Sequence, residues 1–239
     1  MTTEQVQRVL VVVAHPDDVD FGSAGTIAAW TEAGLDVSYC IVTDGDAGGF
    51  DPEVPRSAIA GIRQDEQRKA AAALGVSEIE FLGYPDGRVT VSLELRRDIS
   101  RVIRQVRPDR VLAHSPQRDL RNMYVSHPDH VAVGEAALCA VYPDARNPYA
   151  HPDLLAQEGL QAHTVSEVWV MSVNDRADHY VDITDSFDRK IAALRAHTSQ
   201  TAHMTDLEDR MRSWGVLQAQ AAGLPEGRLA EGYLVLDTH

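Results

Sequence analysis

The stretch Val9-Leu10-Val11-Val12-Val13-Ala14-His15-Pro16-Asp17-Asp18 decides the fold. Five apolar residues and an alanine read as a buried strand. Three metal-competent side chains then arrive within four positions. A buried strand that stops at a polar cluster is how open α/β proteins present a site, at the carboxyl edge of the sheet.

Working outward, strands and helices alternate. A helix runs through Ile27, Ala28 and Trp30 to a stop at Gly34. Val37 to Val42 forms a second strand, which ends in the glycine-rich loop Thr43-Asp44-Gly45-Asp46-Ala47-Gly48-Gly49. Ile59 to Leu74 is a helix, Ile79 to Leu82 a short strand, and Leu93 to Val106 a helix with apolar residues near helical spacing. A fourth strand, Arg110 to Ala113, ends at His114-Ser115.

The loop from Pro116 to Ser126 exceeds ordinary connections and is a candidate lid. His127-Pro128-Asp129-His130 then opens a helix. Tyr142 to Thr164 reads as irregular, a second rim candidate. Strands follow at Glu167 to Val173, Tyr180 to Ile183 and Tyr233 to Leu236, with helices at Ser186 to His197 and Met204 to Ala222. The alternation predicts an α/β fold: a Rossmann-like, doubly wound, mostly parallel sheet flanked by helices. No repeat or linker interrupts it, so residues 1–239 are expected to form a single domain.

Composition narrows the function. Hydrophobic residues make up 44% of the 239 and charged residues 24%, which is ordinary for a soluble protein. A net charge of -14 argues against nucleic acid and against a polybasic membrane contact. No apolar run approaches the ~18 residues of a membrane span. Cys40 and Cys139 are expected as small buried residues on a strand and a helix. With no CxxC motif or disulfide framework, they point to the cytoplasm.

His15 and Asp18 sit three apart on the turn leaving strand one, a spacing that can aim both at one point. His130 follows a different strand, whose end can be a neighbour in a wound sheet. Three ligands of this kind leave one position for water, the mark of catalytic rather than structural zinc. Taken singly, each motif is also compatible with a capped polar turn. A nucleotide-binding module is the main rival, but strand one delivers His-Pro-Asp-Asp where a Gly-x-Gly-x-x-Gly turn would be needed.

Together the motifs resemble a known family. Ala14-His15-Pro16-Asp17-Asp18 with Gly22, Gly25 and Thr26 looks like the opening motif of the PIG-L/LmbE-like zinc N-deacetylases. Thr43-Asp44-Gly45, Arg63-x-x-Glu66 and Pro85-Asp86-Gly87 resemble later blocks. So do His127-Pro128-Asp129-His130 and Lys190-x-x-Ala193-x-x-x-His197-x-Ser199-Gln200. The resemblance implies that His15, Asp18 and His130 ligate zinc, or another divalent ion such as iron(II). It implies Asp17 as general base, His127 beside the oxyanion, and Asp129 as the group that orients a motif histidine. Arg63 and Asp86 fall where the family contacts substrate hydroxyls.

The implied activity is removal of an N-acetyl group from a small soluble N-acylated substrate, an N-acetylglucosamine glycoside first of all. A larger amide conjugate, an antibiotic-type substrate, or metal binding without catalysis are the alternatives. A homo-oligomer is compatible with the sequence. Two departures stand out: Asp20 occupies a place where glutamate is frequent, and Val125, with Tyr124 beside it, lies where some relatives carry a tyrosine.

Overall fold

A computed structural model describes residues 6–120, 123, 126–171 and 176–238. A seven-stranded sheet has the order β3-β2-β1-β4-β5-β7-β6. The strands are β1 (Arg8–Val13), β2 (Asp36–Thr43), β3 (Glu78–Tyr84), β4 (Arg110–His114), β5 (Glu167–Met171), β6 (His179–Asp182) and β7 (Ala230–Asp237). The first five pair in parallel. β7 then pairs antiparallel with both β5 and β6. The expected mostly parallel, doubly wound sheet is therefore present.

β1 is central, and its side chains feed two cores. Leu10 and Val12 pack with Leu95 and Ile99 of α3 (Leu93–Val106) and with Ala132 and Val133 of α4 (Pro128–Cys139). Val9, Val11 and Val13 pack with Val19 and Ile27 of α1 (Asp18–Glu32) and Ala70 of α2 (Arg56–Ala73). Residues alternate between faces along a strand, and both faces here are covered, so all must be apolar. α5 (Pro152–Ala156), α6 (Phe187–Ala196), α7 (Thr198–Thr201) and α8 (Leu207–Ala221) complete the helices.

Three expectations are corrected. β3 extends to Tyr84 because its backbone pairs with Thr43 of β2 beyond a shift in register. The stretch from Tyr142 to Thr164 is not wholly irregular: after a kink at Tyr142, where the backbone is extended, a short turn closes at Ala145 and α5 follows. It is tied to α3, where Arg96 clasps Asp144 and buried Arg104 donates to the carbonyls of Asp144, Ala145, Asn147 and Ala150. Cys139 is only half-buried, near Glu135, whereas Cys40 is fully enclosed on β2. Among the described residues, no helix is long and apolar enough to cross a membrane.

The order places β1 beside β4, while β2 and β3 run off the other way. Strand order reverses between β1 and β4, and there a doubly wound sheet opens a crevice at its carboxyl edge. Ala14 to Asp18 leave β1 at that edge, and His114 ends β4 at the same edge.

Candidate metal centre and active site

Beyond β1 the chain turns sharply into α1. Asp17 takes up φ 92° and ψ −25°, a left-handed conformation uncommon for a residue with a side chain. The turn folds Asp18 back so that its Oδ2 accepts from the His15 backbone N–H at 2.7 Å. On the other side of the crevice, Pro128 occupies the first turn of α4, where its missing N–H costs nothing. His127 caps that helix: its Nδ1 accepts from the Asp129 N–H at 3.2 Å. In the neutral ring the proton therefore sits on Nε2.

Gly134 lets α4 approach. A Cβ there would lie 2.5 Å from the His114 carbonyl oxygen, so only glycine allows the helix this close to the end of β4. His130, one turn earlier, is thereby stacked on His114, with ring centroids 4.2 Å apart and planes 6° apart.

Two distant segments converge. His15 Nδ1 lies 3.2 Å from Asp18 Oδ2 and 3.2 Å from His130 Nε2. His130 Nε2 lies 3.0 Å from Asp18 Oδ1. Donors about 2.0–2.1 Å from a tetrahedral zinc stand ~3.3 Å from one another, so these separations fit one ion. Three overlapping sets bring a donor from each residue within 4.8 Å: His15 with His127 and His130, Asp18 with His114 and His130, and His15 with Asp86 and Asp129.

The far side of His15 is held as well. Its Nε2 faces Asp86 Oδ1 at 3.0 Å and Asp129 Oδ2 at 3.3 Å. A carboxylate opposite Nε2 favours the tautomer with the proton there, leaving the Nδ1 lone pair for a metal. Asp129 is itself fixed by the Gly87 and Val89 N–H groups at 2.7 and 3.2 Å. Its carboxylate thus touches His15, and its backbone touches His127.

Asp17 lies beside this centre with its carboxylate turned to Arg63, whose Nη2 is 3.0 Å from Oδ2. Arg63 is almost fully buried and also donates to the Gly45 and Pro16 carbonyls. Its Nη1 is 4.0 Å from Asp86. Glu66 does not pair with Arg63; it accepts from Thr198 and Ser199 and so anchors α7. Asp20, though shorter than glutamate, reaches the His197 ring at 2.8 Å. Asp44 accepts from Gln64, and Asp46 from Arg56 and from the Asp86 N–H.

Burial and neighbouring charge pull the ionisable groups apart, in directions that describe the metal-free donors. Burial pushes the Asp17 carboxyl up to about 6, against the pull of Arg63. Burial also opposes ionisation of Asp18, but His130, His15 and His114 together hold it well below the usual carboxylate range. His15 is the reverse: burial disfavours its charge, and Asp18, Asp129 and Asp86 outweigh that and push it up to about 12. Burial and the nearby His130 bring His114 down to about 4. Burial, His15 and His130 lower His127.

Sequence reasoning left two residues undecided or unseen. His114 is in the cluster, with Nε2 3.1 Å from Asp18 Oδ2; its place directly after a strand was the one available signal. Gln67, fully buried, accepts from the Asp17 N–H at 2.8 Å. Its only sequence signal is spacing, four residues after Arg63 on the same helical face. Tyr124 and Val125 lie outside the described residues, so the tyrosine question does not arise from this geometry; the Pro116–Ser126 loop is described only in part.

Relatives share this arrangement of chain. Residues 10–141 match the family model PIG-L, described as GlcNAc-PI de-N-acetylase. Diacetylchitobiose deacetylase of Thermococcus kodakarensis is 35% identical over 195 residues, covering 82% of this chain and 70% of its own length. A probable N-acetyl-alpha-D-glucosaminyl L-malate deacetylase of Bacillus anthracis is 31% identical, covering 82% of each chain. Among solved structures, the N,N'-diacetylchitobiose deacetylase of Pyrococcus horikoshii superposes with a TM-score of 0.89 at 30% identity, over 98% of this chain and 85% of that one. With the motif residues gathered at one crevice and these matches spanning most of its length, the chain belongs to the PIG-L family of de-N-acetylases.

Proposed function

We propose that this protein is a zinc-dependent N-deacetylase that hydrolyses the acetamido group of an N-acetylglucosamine unit in a small soluble glycoside. One observation carries the reading: His15 Nδ1, Asp18 and His130 Nε2 stand 3.0–3.2 Å apart, and the neighbouring Asp17 carboxylate is held by Arg63 rather than by these donors. The relatives named for diacetylchitobiose and for a glucosaminyl malate support the sugar. Iron(II) suits the same nitrogen and oxygen donors, and zinc is preferred because three donors with tetrahedral spacing suit it best.

A divalent ion held by His15, Asp18 and His130 supplies a Lewis acid that polarises the amide carbonyl and makes water more acidic. The rest falls to the protein. Asp17 accepts the proton of the attacking water, since its neighbour Asp18 is turned the other way, to the histidines. Arg63 keeps the Asp17 carboxylate in place. The His127 Nε2–H donates to the oxygen on which negative charge develops, a contribution of about 3–4 kcal/mol for a well-placed donor. Asp17 then returns its proton to the departing amine. Asp129 and Asp86 fix the His15 ring, and His114 steadies Asp18. Asp86, partly exposed beside His15, is the group we assign to the sugar hydroxyls; Arg63, almost fully buried, stands behind Asp17. Two free cysteines suit a reducing compartment, and we place the protein in the cytoplasm.

The direct test is a panel of N-acetylated sugars, among them diacetylchitobiose and glucosaminyl malate, incubated with zinc-loaded protein while free amine is measured. Release of one amine per acetate is expected. Fully metallated protein that liberates no amine from any of them would refute the proposal.

A further inference from the structure

Asp17 holds a backbone conformation that side-chain-bearing residues rarely adopt. Such a state lies roughly 1–3 kcal/mol above ordinary ones and persists only where surroundings impose it. The Asp17 N–H points not into α1 but towards α2, where Gln67 Oε1 accepts it at 2.8 Å. Gln67 cannot flip. Its other end, Nε2, donates to Asp20 Oδ2 at 2.9 Å, and a carboxylate oxygen only accepts. Reversing the amide would set nitrogen against N–H and oxygen against carboxylate.

Asp20 is braced in turn by His197, whose Nε2 lies 2.8 Å from the same oxygen. Gln67, Asp20 and His197 are all 0% exposed, so no solvent competes for these bonds. A continuous line of hydrogen bonds therefore runs from α6's end through α1 and α2 to the Asp17 backbone. Arg63 fixes the Asp17 carboxylate but not its N–H.

We infer that Gln67 is a positioning residue for hydrolysis: backed by Asp20 and His197, it sets the Asp17 backbone and hence the aim of the carboxylate. This rests on Asp17 being the base. The Gln67 side chain is fully buried and bonds to the Asp17 N–H and Asp20 rather than to the metal donors, so its removal acts on the chemical step and spares binding.

The test is Gln67→Met, which keeps length and loses both hydrogen bonds. Metal content and KM should stay within about twofold, while kcat falls roughly 10–100-fold, the scale of a 1 Å misplacement. Amide hydrogen exchange across residues 15–21 should accelerate. In an Asp17→Asn background the same substitution should change kcat little, because its effect passes through Asp17. An unchanged kcat, or the same loss in both backgrounds, overturns the inference.

Should Gln67→Met fail to fold, Gln67→Asn decides. It keeps the amide but is one methylene short and cannot reach both the Asp17 N–H and Asp20 Oδ2, so kcat should fall about tenfold or more with metal content and KM within about twofold; an unchanged kcat overturns the inference. Asp17→Asn by itself tests the base. If that variant stays active the base is misassigned, and exchange at residues 15–21 still decides whether Gln67 holds the turn.

Discussion

Asp17 and Asp18 adjoin in the chain, yet their carboxylates face different partners: Asp18 lies 3.0–3.2 Å from His130 and His15, and Asp17 lies 3.0 Å from Arg63. The left-handed turn at Asp17 separates them. Replacing each should therefore do different damage. Asp17→Asn should bind zinc normally and lose about 10²–10⁴ in kcat, the usual worth of a positioned base. Metal analysis and amine release on the same preparation check both halves. Normal turnover in this variant would remove Asp17 from the chemistry.

Substitution of the donors should act on the metal first. His15→Ala, Asp18→Ala and His130→Ala should purify with little bound zinc. Asp129→Asn should bind it about 10–100-fold more weakly, since the His15 ring loses one of its orienting carboxylates. Competition with a chromophoric chelator measures this. Wild-type affinity in Asp129→Asn would show that Asp86 orients His15 alone.

Gly134 carries a steric demand that can be read without any assay of activity. An alanine methyl would meet the His114 carbonyl at 2.5 Å and the Ser115 carbonyl carbon at 2.9 Å, both backbone atoms that cannot rotate away. Gly134→Ala should lose about 1–3 kcal/mol in denaturant unfolding. A variant as stable as the parent would mean that α4 can slide outward freely.

Acid should weaken one structural cluster on α3. Asp98 accepts from Arg101, Tyr84 and Arg97 at 2.7, 2.8 and 3.1 Å. Burial raises its carboxyl, but the bonds from Arg101, Tyr84 and Arg97 prevail and lower it. A carboxyl lowered by folding stabilises the fold fully above its unfolded value, near ~4, and loses that contribution as pH falls through the folded one. The stability gap between wild type and Asp98→Asn should thus be widest above pH ~5 and close in stronger acid. Melting curves across pH give the answer, and a gap that widened in acid would contradict the sign.

How far the sequence could be read depended on whether a signal was local. Leu93 to Val106 was visible to the residue, because its apolar spacing is local; the structure adds the Ser92 cap, which accepts from the Leu95 N–H. β1 and its polar terminus were visible for the same reason. The length of β3 was not, since it is set by pairing with β2. Within the site, the motif histidines and aspartates could be named, but their partners could not. Arg63 and Glu66 look like an i,i+3 pair in sequence, and the fold sends one to Asp17 and the other to α7. Beyond its spacing from Arg63, Gln67 gave no signal, because its role exists only once α1, α2 and α6 are packed together.

His15 and His130 lie 115 positions apart in sequence and meet at one point. An ion gripped by both is thus also a staple across the two sides of the crevice. Occupancy at a thousand times the dissociation constant adds about 4 kcal/mol against unfolding. With the proposed ion bound there, heat resistance and turnover would depend on one supply: a cell short of the ion would hold a protein that is both idle and fragile, and proteolysis would clear the empty copies first.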